Sequence, residues 1–197
     1  CFILLPSPGG RMLPPMRAPI FALILALPSL AVASTKAGVT LPDKATVGDK
    51  ELVLNGLGVR EATVFNVEVY VAGLYVEQKT SDVDAILAGD KAKRLVMHFV
   101  REVDKDDLVG AFEEGFEKNG AGASLAAKVK QFIGYLGPVN KGDQIVMSYV
   151  PDKGVEVSYK GAVKGTVPGA DFEKVLYAIF VGPKPPNASL KQGLLGK

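Results

Sequence analysis

The stretch from Leu52 to Glu77 limits the possible folds of this chain more than any other, because it is typical of two paired β-strands. Its second half is rich in β-branched and aromatic residues that alternate with polar ones. Glycines at positions 56, 58 and 73 interrupt the pattern and indicate hinge points. We therefore predict two antiparallel strands joined by a short connection, with a bulge or a close backbone approach at Gly73.

The remaining periodic segments predict further strands in hairpins, with helices grouped between and after them. The predicted strands span residues 51–61, 65–77, 94–103, 144–149, 154–159 and 162–167, and the predicted helices span residues 81–88, 104–119, 124–136, 170–181 and 188–195. The polar segment 34–50 predicts a loop, with Val39 to Leu41 as a candidate edge strand. This order indicates an α+β fold, in which a large antiparallel sheet is covered on one face by a layer of helices.

Residues 16–33 have the features of a secretory signal peptide. Arg17 precedes an apolar run of about 16 residues that ends in the small-x-small sequence Ala31–Ala33. The run is shorter than the roughly 20 apolar residues that a membrane span needs, and an uncleaved anchor is the alternative. Residues 1–15 do not begin with methionine, and we interpret them as read-through from upstream of a start at Met16. We therefore predict one folded domain at 34–197 and export, most simply to the periplasm.

Removal of the leader changes the charge and the chemistry of the chain. Arg11 and Arg17 are the only charged residues before position 34, so Lys+Arg falls from 23 to 21 and equals the 21 Asp+Glu. A formally neutral chain without a concentrated basic face argues against a nucleic-acid partner. Cys1 is the only cysteine and His98 the only histidine, so no metal-binding cluster is expected. We predict no cofactor and no metal.

The common catalytic patterns are absent from the sequence. It has no glycine-rich phosphate loop, no Gly-x-Ser-x-Gly segment and no cysteine nucleophile outside the leader. His98 lies within a predicted strand, where we interpret it as a packed structural residue rather than a general base. We interpret the acids of the helix 104–119 as its solvated face: Asp104, Asp106, Asp107, Glu113, Glu114 and Glu117.

Arg60 and Tyr70 are the candidate site residues. Arg60 ends the glycine-spaced first strand and lies close to Tyr70 across the predicted hairpin, in apolar surroundings. A guanidinium beside a phenol can bind one carboxylate or phenolate through charge-assisted hydrogen bonds. The alternative is a structural salt bridge from Arg60 to Glu61 or Glu68, and the spacing alone leaves both interpretations open.

Three segments carry a resemblance to a known family. They are GLGVR…VEVYVAGLYVE (56–77), KRLVMHFVREVDKDDLVGAFEEGFEKN (93–119) and YKGAVKGTVPGADFEKVLYAIFVGPKPPNASLKQGLLG (159–196). Over about residues 38–196 the chain resembles the chalcone isomerase-like proteins, in particular their exported bacterial members. The resemblance implies an open-faced β-sandwich, with a cleft between the large sheet and the helical layer.

The resemblance also implies two activities for such a cleft. Plant chalcone isomerases close a chalcone to a flavanone by attack of a phenolate oxygen on an enone, and a related plastid branch binds fatty acids without catalysis. Both use an arginine on the early strand, which matches Arg60. The plant threonine of the second strand corresponds to Tyr70, and the polar residues of the plant helix fall near Leu108, Ala111 and Gly115. These three side chains cannot stabilise a developing enolate.

We therefore expect a non-catalytic protein that binds a fatty acid or a similar amphipathic carboxylate. Arg60 would bind the acid group and Tyr70 would donate a hydrogen bond to it. The first alternative is an active isomerase of the chalcone–flavanone type, in which Arg60 steers the oxyanion and Tyr70 is the donor. The second is a partner-binding module whose cleft is filled by its own side chains.

Overall fold

Antiparallel strands form the framework of this protein in the computed structural model, which describes residues 33–62 and 67–197. The strands are β1 (Ala33–Lys36), β2 (Val39–Pro42), β3 (Lys44–Val47), β4 (Lys50–Ala62), β5 (Val67–Val76), β6 (Lys93–Phe99), β7 (Gln144–Val150), β8 (Gly154–Tyr159) and β9 (Ala162–Val167). Strands β3 to β9 form one sheet in sequence order, whereas β1 and β2 pair only with each other. The predicted antiparallel pairing of the two strands in the Leu52–Glu77 stretch, now β4 and β5, is confirmed.

Helices cover one face of this sheet. They are α1 (Val83–Leu87), α2 (Lys105–Lys118), α3 (Ala126–Ile133), α4 (Ala170–Val181) and α5 (Ala188–Leu194), and a 3₁₀ turn at Ala123–Leu125 precedes α3. The predicted α+β class is therefore confirmed. No helix of the described residues is long and apolar enough to cross a membrane.

The central strands are buried on both faces, because their side chains alternate between two hydrophobic clusters. On β6, Met97 and Phe99 join the cluster under the helices, whereas Val96 joins the cluster on the opposite face. Phenylalanines 112, 116, 132 and 172 connect α2, α3 and α4, with ring centroids 5.0 to 6.5 Å apart. On the other face, Val39 and Leu41 of the β1–β2 hairpin are buried against the sheet.

The prediction of a loop at 34–50 was wrong for most of the segment, which forms β1, β2 and β3, whereas the candidate strand at Val39 to Leu41 is confirmed as β2. A tight turn at Ala37 and Gly38, both with positive φ, folds β1 onto β2. In β2 the buried residues alternate with exposed ones. Lysines and threonines occupy the exposed positions of these short strands, which gives the segment the composition of a loop.

The prediction of a bulge or backbone approach at Gly73 was also wrong. Gly73 keeps a regular register with Leu57 and Val96, and a Cβ placed on it would lie 2.6 Å from a side-chain methyl of Leu41. A side chain of the β1–β2 hairpin, rather than a backbone segment, therefore occupies the space beside this glycine. The register shifts of the β4–β5 pair lie between Leu54 and Gly56 and next to Arg60.

Three predictions fall wholly or largely outside the described residues. Residues 1–15 and the signal peptide 16–33 lie there except for Ala33, which begins β1. The connection between β4 and β5 also lies there beyond Ala62. Processing of the leader and the start of the folded domain remain predictions.

Candidate functional site

A cleft of about 750 Å³ opens between the sheet and the helices. Strands β4, β5 and β6 supply one wall, and α2 and the end of α4 supply the other. The lining is apolar where the two walls meet: Val69, Met97, Phe99, Val103, Leu108, Ala111, Phe112, Ile179 and Phe180. Arg60 and Tyr70 line the same cleft.

Strand register brings the two candidate residues together. Arg60 of β4 is paired with Tyr70 of β5, and Tyr70 is paired with Phe99 of β6. Neighbouring strands lie about 4.8 Å apart, so the three side chains form a row of about 10 Å across the wall of the cleft. The row contains a cation, a phenol and an apolar ring, in that order.

Glycines of β4 explain why Arg60 is at the edge of the cleft. A Cβ on Gly56 would lie 2.1 Å from the carbonyl oxygen of Gly193, and one on Gly58 would lie 2.2 Å from that of Leu190. The backbone of α5 therefore lies directly on this face of β4. Arg60 is the next residue on the same face and lies beside the start of the helix, where Asn187 donates to the carbonyl of Val59, so its longer side chain is not covered by the helix backbone.

Arg60 has no carboxylate within 4 Å of its guanidinium among the residues that the structure describes. The guanidinium donates a hydrogen bond to the backbone carbonyl of Glu61. The carboxylate of Glu61 instead accepts from the Ser189 hydroxyl at 3.3 Å. The alternative of a salt bridge to Glu61 or Glu68 is thus not formed. A guanidinium has five N–H groups, so this one bond leaves donors for a ligand.

Tyr70 is buried beside Arg60, and its ring meets that of Phe99 edge-on with centroids 5.5 Å apart. Burial raises the pKa of Tyr70 well above its ordinary value, and the positive charge of Arg60 opposes only part of that rise. The hydroxyl therefore keeps its proton at neutral pH and can donate a hydrogen bond.

The outer part of the cleft is charged. Besides Arg60, its charged lining residues are Arg101, Glu102, Asp104, Asp107, Glu114 and Lys118. All six acids that we interpreted as a solvated face are exposed, and three of them also line the cleft. The hydrogen bond from Lys118 holds the pKa of Glu114 below its usual range, and the positive charge of Arg60 adds to this effect.

Leu108, Ala111 and Gly115 all line the cleft from α2. None offers a polar side chain to a bound ketone. A Cβ on Gly115 would lie 2.8 Å from a methyl of Ile179, so a larger residue would require α2 and α4 to separate. The α2 wall is therefore shaped for apolar contact at these positions.

His98 lies on the other face of β6, away from the cleft. Its Nδ1 is 3.1 Å from the side-chain nitrogen of Gln144, its register partner on β7. This agrees with the structural role that we expected for it. No cluster of three or more metal-binding side chains occurs in the ranges 33–62 and 67–197.

Comparison with known proteins agrees with this architecture. The sequence matches the family model described as chalcone isomerase-like over residues 33–196. This chain belongs to the chalcone isomerase-like family. The resemblance seen in the sequence is thereby confirmed. A comparison with curated proteins found no match.

Among solved structures, this chalcone isomerase-like protein is similar to a fatty-acid binding protein of Arabidopsis thaliana, with a TM-score of 0.69. The two sequences are 16% identical, and the alignment covers 84% of this chain and 95% of the plant chain. At this identity the similarity establishes a shared fold.

Sequence reasoning missed several lining residues of the cleft. Ile179 and Phe180 were recognised as apolar positions of a helix, but nothing in the sequence indicated that α4 would reach this cavity. Glu114 and Lys118 could have been found, because they continue the spacing of three and four residues that starts at Leu108. The charge of Glu114 led to its assignment to the solvated face, and no role was predicted for Lys118.

Proposed function

We propose that this protein binds a fatty acid or a similar amphipathic carboxylate in the cleft, and that it does so without catalysis. One observation carries the proposal: a guanidinium and a protonated phenol lie side by side in a cleft whose buried lining residues are apolar and whose exposed rim is charged. Arg60 would bind the carboxylate, and Tyr70 would donate a hydrogen bond to it.

The contacts of the two residues suit this role. A charge-assisted hydrogen bond to a carboxylate is about twice as strong as a neutral one, and a partly buried guanidinium is less screened than an exposed one. Tyr70 is held in place by Phe99, so its hydroxyl needs little ordering on binding.

The volume and lining of the cleft suit an alkyl chain. Its 750 Å³ lies within the range of about 300 to 1,000 Å³ that is usual for small-molecule sites. Met97, Phe99 and Phe112 continue from the Arg60 end into the hydrophobic core. Burying each methylene of a ligand among such side chains contributes about 0.8 kcal/mol.

The similar Arabidopsis structure, named a fatty-acid binding protein, supports the choice of ligand. The apolar residues Leu108, Ala111 and Gly115 support the absence of catalysis, because ring closure would require stabilisation of enolate charge on that side of the cleft.

Native mass spectrometry of the purified protein, followed by lipid extraction, tests the proposal. We expect wild type to retain a carboxylate that the Arg60→Met variant loses. Arg101→Met is the matched control, since it removes another cleft arginine that lies outside the Arg60–Tyr70 row. If wild type carries no ligand and takes up no added fatty acid, the proposal fails. A chalcone cyclisation assay then distinguishes an isomerase from a module without a small ligand.

The location of the protein is a separate proposal. We propose that it is exported to the periplasm, and the features of residues 16–33 support this. N-terminal sequencing of the protein from the periplasmic fraction of its host is expected to begin at Ser34. Recovery of the uncleaved chain from the cytoplasm would contradict export.

A further inference from the structure

Glu114 and Lys118 lie on the rim of the same cleft as Arg60. We propose that this pair tunes the affinity of the site for carboxylates: Glu114 competes with the ligand for Arg60, and Lys118 restrains Glu114. This inference rests on the proposed function, because it concerns the anion that Arg60 binds.

Glu114 and Lys118 lie on the side of α2 that lines the cleft. Residues 107, 111, 114 and 118 of α2 all line the cleft, and their spacing of three and four places them on one side of the helix. Glu114 and Lys118 are one turn apart and form a salt bridge. Their side chains thus lie at the solvent-exposed rim of the cleft that Arg60 also lines.

The salt bridge between Glu114 and Lys118 is exposed to solvent. The side chains of Glu114 and Lys118 are 63% and 56% exposed, and such a pair is held only weakly. Glu114 can therefore exchange its partner at little cost. The structure shows Glu114 on Lys118, and among the described residues no carboxylate is within 4 Å of Arg60.

Two neighbouring cations act on the carboxylate of Glu114. The nearby cations Lys118 and Arg60 lower the pKa of Glu114, so its carboxylate stays charged at neutral pH. A ligand carboxylate at Arg60 would then face a second negative charge on the opposite wall. A neutral amphipathic ligand would not, and this difference makes Glu114 a selectivity residue.

Titration of dodecanoate and of dodecan-1-ol against the full chain tests the role of Glu114. We expect Glu114→Gln to tighten dodecanoate binding about two- to fivefold at low salt and to leave dodecanol binding unchanged. The gain is expected to shrink in 0.5 M salt, because the charges are exposed. Glu113→Gln is the matched control, since Glu113 is an exposed acid of the same helix that does not line the cleft.

A double-variant cycle separates the two roles of Lys118. If Lys118 restrains Glu114, Lys118→Gln weakens dodecanoate binding about twofold or more, and the same change has no effect in the Glu114→Gln background. A loss that persists in that background would mean that Lys118 contacts the ligand directly, and it would overturn the inference.

The outcomes distinguish this inference from the proposed function. If wild type does not bind dodecanoate, both fail. If binding is present but Arg60→Met does not weaken it, the proposed role of Arg60 fails, and this inference fails with it. If binding depends on Arg60 but Glu114→Gln behaves like Glu113→Gln, only the inference is overturned. Unfolding curves of each variant establish that the protein compared is folded.

Discussion

At the scale of single residues, Arg60 and Tyr70 divide the recognition of an acid group between charge and geometry. Arg60 supplies charge and several N–H donors, and Tyr70 supplies one donor with a fixed direction. Their register pairing across β4 and β5 sets their separation. The two side chains should therefore differ in how much their removal costs.

We expect Arg60→Met to weaken carboxylate binding about 10- to 100-fold, because a hydrogen bond to a charged group contributes about 1.5 to 3 kcal/mol. Arg60→Lys should lose less, since it keeps the charge but not the planar fork. Tyr70→Phe should lose about three- to tenfold, as it removes one hydrogen bond and keeps the edge contact with Phe99. Calorimetric titration measures all three, and equal affinities for wild type and Arg60→Met would contradict the assignment.

The pH dependence of binding should come from the ligand rather than from the two site residues. The guanidinium keeps its charge, and the raised pKa of Tyr70 keeps its hydroxyl protonated to strongly alkaline pH. Affinity for a fatty acid should therefore be constant between pH 6 and 9 and fall below about pH 5, where carboxyl groups become protonated and lose the charge-assisted bond. The methyl ester of the same acid is the control without a titrating head group. A transition near pH 6 to 7 would point to a histidine and contradict this account.

A buried ion pair outside the cleft, Lys93 with Glu173, joins β6 to α4 at 2.8 Å. Both side chains are at most 2% exposed, and Lys93 also donates to the carbonyl oxygens of Ile86 and Ala88 at the end of α1. Burial raises the pKa of Glu173, and the Lys93 charge opposes that rise. One oxygen of Glu173 has no hydrogen-bond partner within the described part of the chain.

Because removal of one partner leaves a buried charge unpaired, we expect Lys93→Met to destabilise the fold by about 3 to 5 kcal/mol. The double variant Lys93→Met/Glu173→Met should be more stable than Lys93→Met, since no buried charge remains. Denaturant unfolding followed by circular dichroism gives the comparison. Additive losses in the double variant would show that the two residues do not act as a pair.

At the scale of elements, the packing of α5 on β4 fixes one end of the cleft. The helix backbone rests on Gly56 and Gly58, and Asn187 at its start donates to the carbonyl of Val59 at 3.1 Å. On β4, Leu57 and Val59 point to the opposite cluster, so only the glycine face can accept the helix. The position of Arg60 relative to the helix follows from this contact.

We expect Gly58→Ala to destabilise the fold by about 1 to 3 kcal/mol, because its Cβ would lie 2.2 Å from the Leu190 carbonyl oxygen and force the helix away. Gly110→Ala is the matched control. A Cβ on Gly110 of α2 meets no atom within 4 Å, and alanine should stabilise that helix by about 0.5 to 1 kcal/mol. Thermal unfolding of both variants is the measurement, and a neutral Gly58→Ala would mean that α5 does not rest on β4 in solution.

The elements that sequence reasoning placed correctly have a strong internal period. Strands β4 to β9 and helices α2 and α4 follow from alternating or helical patterns of apolar residues. Strands β1 and β3 were not predicted and β2 was predicted only as a candidate, because the stability of this segment depends on burial of Val39 and Leu41 against a sheet that the local sequence does not reveal. The packing around Gly73 was not predicted either, because the Leu41 side chain that occupies the space beside this glycine belongs to another element.

The sequence predicts those parts of the candidate site that depend on local pairing. Arg60 and Tyr70 follow from pairing within one hairpin, which is a local relation. Ile179 and Phe180 are more than 100 positions away, and their place in the cleft follows from how α4 packs on α2 and the sheet. Such tertiary relations cannot be deduced from period and composition alone.

At the scale of the whole molecule, the two faces of the sheet have different roles. On one face the β1–β2 hairpin covers the apolar residues, and Gly48, which follows β3, approaches Val150 of β7. On the other face the helices cover the sheet but leave the cleft between α2 and strands β4 to β6. A ligand in the cleft would therefore contact the sheet on one side and helices on the other.

The central claim is that the cleft holds the alkyl chain while Arg60 and Tyr70 hold the carboxylate. A crystal structure of the protein with bound dodecanoate tests it most directly. The account predicts carboxylate oxygens within hydrogen-bond distance of the Arg60 guanidinium and the Tyr70 hydroxyl, with the chain against Met97, Phe99 and Phe112. A carboxylate bound instead at Arg101 or Lys118, or a chain lying outside the cleft, would contradict it.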